Sequence, residues 1–130
     1  MIHPEHNQRE FFRIPPPGLL CTIPMIESAP SFPVLDISIA GLALVLPKSK
    51  HSTLEVGATY HDCNFVVPEF GEINVTMLVR NVLEMNEGTA LRHFRAGFSY
   101  VDVKPQTQAR LMRYIAYLER LLHKQQIAAE

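Results

Sequence analysis

The sequence has 130 residues and a mass of 14.7 kDa, which favours one compact domain over two independent cores. Hydrophobic residues make up 47% of the chain and charged residues 19%, so there is enough apolar surface for a folded core and extensive disorder is excluded. The formal net charge of −1 provides no general attraction for nucleic acid or acidic lipid. Any anion site therefore has to be local.

The N-terminal segment, residues 1–18, is predicted to be a flexible arm. It is polar and ends in Ile14-Pro15-Pro16-Pro17-Gly18, where the prolines fix φ and remove backbone donors, so no helix can pass through it. It lacks the apolar region of a secretory signal. The longest apolar run, residues 34–46, is too short to cross a bilayer. The sequence therefore predicts a cytoplasmic protein with no transmembrane segment.

The next part of the chain, residues 19–103, has the pattern of short β-strands separated by turn residues. About six strands are predicted, at 19–25, 34–39, 41–46, 60–67, 73–83 and 89–103. Between these strands the sequence predicts turns at 68–71 and 86–88 and a surface loop at 47–58. Six strands with no helix between them favour a closed barrel, because closure removes exposed strand edges.

After Pro105 the period changes to that of an amphipathic helix, predicted over about residues 105–124. Apolar side chains recur at helical spacing, at Leu111, Met112, Ile115, Leu118 and Leu122. Pro105 suits a first helical turn. We interpret the apolar stripe as a cover for one end of the barrel, with a membrane surface or a partner groove as the alternatives.

Two arginines in the arm, Arg9 and Arg13, are the first candidate binding residues. Their spacing of four allows both guanidinium groups to converge on one ligand. Each can donate a bidentate pair of hydrogen bonds to phosphate or to guanine O6 and N7, and each can stack on a base. The alternative is a solvated helix face, which the prolines after Arg13 disfavour.

The second candidate motif is the run from Asp36 to Gly41, which reads Asp-Ile-Ser-Ile-Ala-Gly. Strand alternation predicts that Asp36 and Ser38 lie side by side on one face, and Gly41 permits a tight reversal or the close approach of a ligand. A carboxylate can accept hydrogen bonds from N1–H and N2–H of guanine. The alternative is a Ser or Asx turn that closes a hairpin.

Together the two motifs resemble the signature of the PilZ domain, RxxxR followed by (D/N)xSxxG. The resemblance extends to the C-terminal domain of flagellar brake proteins of the YcgR type, through Ile14-Pro15 and the stretches at 67–71, 95–98 and 114–120. It implies a six-stranded antiparallel β-barrel with a C-terminal helix, which binds cyclic di-GMP, needs no cofactor and has no catalytic activity. The family's arginines that hold guanine and phosphate correspond to Arg9 and Arg13, and its binding turn to Asp36, Ser38 and Gly41.

The resemblance also carries expectations about stoichiometry and partners. Gln8 stands where many brake proteins have another arginine, in the neighbourhood by which the family binds one ligand or a stacked pair. Brake proteins carry an N-terminal PilZN domain, for which there is no room before Arg9, so we expect either an excised domain or a stand-alone version. Flagellar motor proteins are the expected partners, with recruitment to the flagellar basal body and regulation of motility as the output.

Other functions have less support. His61-Asp62-Cys63 offers three metal ligands, but alternation would place His61 and Cys63 on one face and Asp62 on the other, so no metal site is predicted. Cys21 and Cys63 are read as reduced, inert thiols. No nucleophile motif indicates an enzyme. The alternative to a nucleotide sensor is a protein-interaction module on the same barrel that binds no nucleotide. A small RNA-binding barrel lacks the basic groove it would need, so no nucleic acid polymer is expected as a partner.

Overall fold

The computed structural model describes residues 13–27, 30–47, 54–86, 88 and 93–129. Six antiparallel strands form a closed barrel in the spatial order β1-β2-β3-β6-β5-β4, and one helix follows them. The elements are β1 (Leu20–Thr22), β2 (Ser31–Ile37), β3 (Gly41–Leu46), β4 (Thr59–Val67), β5 (Gly71–Met85), β6 (His93–Val101) and α1 (Pro105–Ala129). The predicted fold class, a six-stranded antiparallel β-barrel with a C-terminal helix, is confirmed.

The barrel closes where β1 meets β4, through the pair Thr22 and Asn64. The side chains that the strands point inward are apolar, so their burial drives closure. The largest fully buried side chains include Phe65, Phe98, Ile37, Leu42, Leu44, Leu46, Ile73 and Met77. Since these residues point inward, their sequence neighbours on the same strands point to the outer face, where the candidate site lies.

The end of the predicted arm is part of the barrel. Ile14 is only 2% exposed and forms an isolated antiparallel bridge with Ile37 of β2. The Ile14 N–H donates to the Ile37 carbonyl at 3.0 Å, and the Ile37 N–H donates to the Ile14 carbonyl at 2.9 Å. The predicted arm is therefore paired with β2 at Ile14, and residues 1–12 lie outside the described residues.

The helix α1 begins at Pro105, as predicted, and ends at Ala129, five residues beyond the predicted end at 124. Leu111, Ile115 and Leu118 of its predicted apolar stripe are buried with the barrel core, together with Tyr114, which agrees with the interpretation of the helix as a cover. Leu122 is only half-buried and Met112 is exposed, so these two members of the predicted stripe do not belong to the buried face. The Tyr114 ring packs 5.8 Å from the Phe70 ring, beside the turn between β4 and β5. None of the helices in the described ranges is long and apolar enough to cross a membrane.

The alternation assumed for His61-Asp62-Cys63 is wrong. The register shifts between Tyr60 and Cys63, and Asp62 takes a positive φ of 58°, so His61 and Asp62 are exposed while Cys63 is buried. Among the described residues, no three His, Cys, Asp or Glu side chains are grouped to hold a metal ion. Cys21 and Cys63 are both free and buried, and burial raises the pKa of each thiol, that of Cys63 to about 12. Neutral, buried thiols agree with the inert role predicted for them.

Candidate functional site on the outer face of the barrel

The structure brings one residue from each sequence motif into contact. The Arg13 guanidinium donates from Nη1 to Oδ1 of Asp36 at 2.9 Å, although the two residues are 23 positions apart. The Arg13 side chain is 36% exposed and that of Asp36 is 19% exposed, so both can be reached from solvent. An arginine and a carboxylate therefore lie side by side at the junction of the arm and β2.

The bridge between Ile14 and Ile37 explains this contact. Both isoleucines point into the core, so the residue before each of them, Arg13 and Asp36, points to the outer face. In an antiparallel pair these two positions are diagonal neighbours, within reach of a long side chain. Burial of two isoleucines thus sets the position of a charged pair.

Arg95 completes the site, and the sequence motifs did not identify it. It is the third residue of β6, and its Nη2 donates to Oδ2 of Asp36 at 3.3 Å. Arg95 pairs with Val45 of β3, so its side chain crosses the outer face of β3 to reach β2. In the sequence, Arg95 is a charged residue at an outward position of an apolar strand. Such a residue does not by itself indicate which side chain it contacts.

The Ser38 hydroxyl does not stand free beside the Asp36 carboxylate, as alternation suggested. Ser38 is 1% exposed, its hydroxyl donates to the Gly41 carbonyl at 3.3 Å, and it accepts from the Ala40 N–H at 3.2 Å. The Ser38 N–H also donates to the Gly41 carbonyl at 2.9 Å. These bonds close the turn between β2 and β3, the alternative read from the sequence.

Gly41 is required by the barrel itself. A Cβ atom at this position would lie 1.9 Å from the carbonyl oxygen of Phe98 on β6. Its φ is not in the left-handed region, so the requirement is space rather than backbone conformation. The sequence suggested two reasons for a glycine here, a tight reversal of the chain or the close approach of a ligand. The structure gives a different reason, which is the close packing of β3 against the backbone of β6.

A buried hydroxyl lies near Arg13. The Tyr100 side chain continues the inward row of β6, and its hydroxyl oxygen is buried with no hydrogen-bond partner among the described residues. Burial raises the pKa of Tyr100 well above its ordinary value, and the proximity of the Cys21 thiol raises it further, while the positive charge of Arg13 partly opposes this shift. The hydroxyl is therefore neutral across the physiological pH range.

Arg9 lies outside the described residues, so its position beside the Asp36 carboxylate stays a prediction. The same holds for Gln8 and for the number of ligands that its neighbourhood implies. Of the five residues taken from the motifs, the structure brings together Arg13 and Asp36, and it places Ser38 and Gly41 in the turn that follows Asp36.

The fold and the site define this chain as a small β-barrel domain with an arginine–aspartate cluster on its outer face. The model of the PilZ domain family matches residues 7–117, which include both motifs, and the chain belongs to this family. The resemblance read from the sequence is confirmed.

Several known proteins are similar to the chain. The flagellar brake protein YcgR of Janthinobacterium sp. (strain Marseille) is 34% identical over 121 residues, which cover 88% of this chain and 48% of that protein. The chain thus spans about half the length of the curated relatives it matches.

A solved structure of the PilZ domain of YcgR from Escherichia coli with c-di-GMP superposes with a TM-score of 0.74 at 21% identity, covering 91% of this chain and 96% of that one. The MrkH–c-di-GMP complex of K. pneumonia gives a TM-score of 0.77 at 18% identity, covering 90% of this chain and 55% of that one. The two structural matches support the fold.

Proposed function

We propose that this PilZ domain is a cyclic di-GMP sensor without catalytic activity, and that it regulates flagellar motility. The observation that carries the proposal is the contact between Arg13 and Asp36, which joins the two halves of the family signature at 2.9 Å. The names of the relatives support it, since they are flagellar brake proteins, and the solved PilZ domain of YcgR is described with c-di-GMP.

The charge of the site suits an anionic nucleotide. Arg13 and Arg95 carry two positive charges and Asp36 one negative charge, so the cluster has one net positive charge on a chain whose formal net charge is −1. Phosphodiester groups would be attracted to the guanidinium groups, and the carboxylate would accept from the N1–H and N2–H edge of guanine. The same cluster can therefore bind both parts of a guanine nucleotide.

Binding requires an exchange of partners, because Arg13 and Asp36 already hold each other. An exposed ion pair of this kind contributes about 0–1 kcal/mol. Hydrogen bonds that involve a charged group contribute about 1.5–3 kcal/mol each. Breaking the Arg13–Asp36 pair is therefore favourable when Arg13 moves to phosphate or guanine and Asp36 accepts from the base. We propose that Arg9 joins Arg13 in this step.

The exchange would move the arm relative to the barrel, and we propose this movement as the output. A cleft of about 290 Å³ lies between Ile14, the three prolines that follow it and the helix residues Leu118, Leu121, Leu122 and Gln125. A shift of Arg13 would therefore reach α1 through the adjacent prolines. In the full brake protein we expect an N-terminal PilZN domain and flagellar motor proteins to respond, in the cytoplasm and at the basal body.

The alternative is a protein-interaction module that binds no nucleotide. It would need an apolar surface, and the central residues of the α1 stripe, Leu111, Ile115 and Leu118, are buried against the barrel. The charged cluster around Asp36 has no function in that alternative. We therefore favour the sensor.

Calorimetric titration of the chain with cyclic di-GMP tests the proposal and measures the stoichiometry. Arg13→Ala is expected to weaken binding about 10- to 100-fold, because one or two charged hydrogen bonds are lost. Arg9→Ala is expected to have an effect of the same order. Arg113→Ala is the matched control, since Arg113 is an exposed arginine of α1.

An absence of binding heat, together with unchanged amide resonances on addition of cyclic di-GMP, would favour the interaction module. Equal affinities of the parent, Arg13→Ala and Arg9→Ala would show that the nucleotide binds elsewhere. For the motility role, cells that carry the full brake protein with Arg13→Ala should swim normally when cyclic di-GMP is high, whereas the parent should slow them.

A further inference from the structure

Arg95 and Arg13 hold the same carboxylate from opposite sides, but their supports differ. Arg13 is the first described residue of the chain and immediately precedes the isolated bridge between Ile14 and Ile37. Arg95 lies inside β6, which pairs with β3 on one side and with β5 on the other. The Arg95 side chain is 21% exposed, against 36% for Arg13. The contact between Arg95 and Asp36 therefore joins two strands of the barrel, whereas the contact between Arg13 and Asp36 joins the arm to the barrel.

A carboxylate that recognises guanine has to be held in one orientation. Acceptance from N1–H and N2–H requires both oxygens to point at the edge of the base, and the terminal torsion of aspartate is broad when nothing fixes it. Each carboxylate oxygen can accept more than one hydrogen bond, so Oδ2 can hold Arg95 and still accept from the base. Once Arg13 leaves Asp36 for the nucleotide, Arg95 is the described partner that continues to hold the carboxylate.

We infer that Arg95 is a positioning residue that fixes the Asp36 carboxylate and thereby makes the site specific for guanine. This inference rests on the proposed function. Arg95 acts through Asp36, and its charge adds a general attraction for phosphate that does not depend on the base. The two contributions can be separated, because only the first is sensitive to the identity of the base.

The test compares cyclic di-GMP with cyclic di-IMP, whose hypoxanthine bases keep N1–H and lack the N2 amino group. The quantity measured is the ratio of the two dissociation constants for each variant. The parent is expected to prefer cyclic di-GMP by about tenfold, the value of one well-placed charged hydrogen bond. In Arg95→Gln the ratio should fall to about 1–3, because the carboxylate is no longer fixed. Arg113→Gln removes the same charge from the exposed face of α1 and should leave the ratio unchanged.

A double-mutant cycle with Asp36→Asn tests whether Arg95 acts through Asp36. Arg95→Gln should lower the ratio in the parent and have no further effect on it in Asp36→Asn. An effect of equal size in both backgrounds would mean that Arg95 contacts the base directly, which would overturn the positioning role. Equal weakening of both nucleotides in Arg95→Gln would mean that Arg95 only attracts phosphate, with the same consequence.

Arg95→Lys keeps the test valid if Arg95→Gln does not fold, as judged by its circular dichroism spectrum. Lysine retains the charge but lacks the planar guanidinium, so affinity for cyclic di-IMP should be retained while the ratio falls to between those of the parent and Arg95→Gln. An unchanged ratio would overturn the role of Arg95 while the parent still binds cyclic di-GMP. Failure of the parent to bind either nucleotide would instead refute the proposed function, and the role of Arg95 with it.

Discussion

Replacing Gly41 with alanine would force two strands of the barrel apart. The added Cβ atom would lie 1.9 Å from the carbonyl oxygen of Phe98, 3.0 Å from its carbonyl carbon and 3.1 Å from Cα of Ser99. Ordinary contact begins at 3.4 Å, so relief requires a movement of about 3.4 − 1.9 = 1.5 Å. The atoms in the way are backbone atoms of β6, which cannot rotate aside as a side chain would.

That movement would break hydrogen bonds next to the site. The Ser38 N–H donates to the Gly41 carbonyl at 2.9 Å, and the Tyr100 N–H donates to the Ala40 carbonyl at 3.0 Å. Loss of both costs about 2 kcal/mol, and residual overpacking adds about 1 kcal/mol or more. Gly41→Ala is therefore expected to lower the free energy of unfolding by about 3 kcal/mol, and the midpoint of thermal unfolding by about 10 °C.

Urea unfolding followed by circular dichroism measures the effect, with Gly97→Ala as the matched control. Gly97 also lies on the outer face of the barrel, but its added Cβ would meet Oδ1 of the Asn81 side chain at 2.8 Å, and that side chain can move. We expect Gly97→Ala to cost less than about 1 kcal/mol. A Gly41→Ala variant as stable as the parent, or equal costs for the two substitutions, would refute the predicted backbone clash between β3 and β6.

Three further predictions concern stability. Ser38→Ala removes a buried hydroxyl that closes the turn, and calorimetric melting should show a loss of about 1–2 kcal/mol; no loss would mean that the turn closes without it. Leu111→Ala should lower the free energy of unfolding in urea by about 2–5 kcal/mol, because Leu111 is 0% exposed. Met112→Ala is the control and should lower it by less than about 0.5 kcal/mol, because Met112 is 54% exposed. Equal losses would contradict the role of α1 as a cover. Burial raises the pKa of Cys63 from 9.0 to about 12, so the unfolded thiol loses its proton first and stability should fall as the pH rises from 9 towards 12. Cys63→Ala should make that fall less steep in urea titrations at pH 8 and pH 10, and an unchanged slope would exclude this thiol as a cause.

Much of the secondary structure and part of the site could be predicted from local patterns. Alternating apolar residues, the turns at 68–71 and 86–88 and the change of period after Pro105 indicated the strands and the helix, because these signals depend on residues two to four positions apart. Arg13 and Asp36, which the structure brings into contact, could be predicted as candidate site residues because each lies in a short motif whose chemistry suits a guanine nucleotide.

The β-bulges could not be predicted. One extra residue changes which of the following side chains point inward and outward, and no residue type in the sequence marks where it is inserted. Register shifts between Val34 and Asp36 and between Tyr60 and Cys63 changed which side chains face outward. Alternation therefore failed for His61 and Cys63.

The sequence alone determined the order of the elements and the residue types that can bind a nucleotide. The tertiary structure decided which of those residues meet. Arg95 reaches Asp36 across 59 positions of the sequence because β6 lies beside β3. Gly41 is required because β6 also brings the carbonyl oxygen of Phe98 close to it. Such contacts depend on how the barrel closes and in which register, and these are set by the packing of the whole core rather than by any local run of residues.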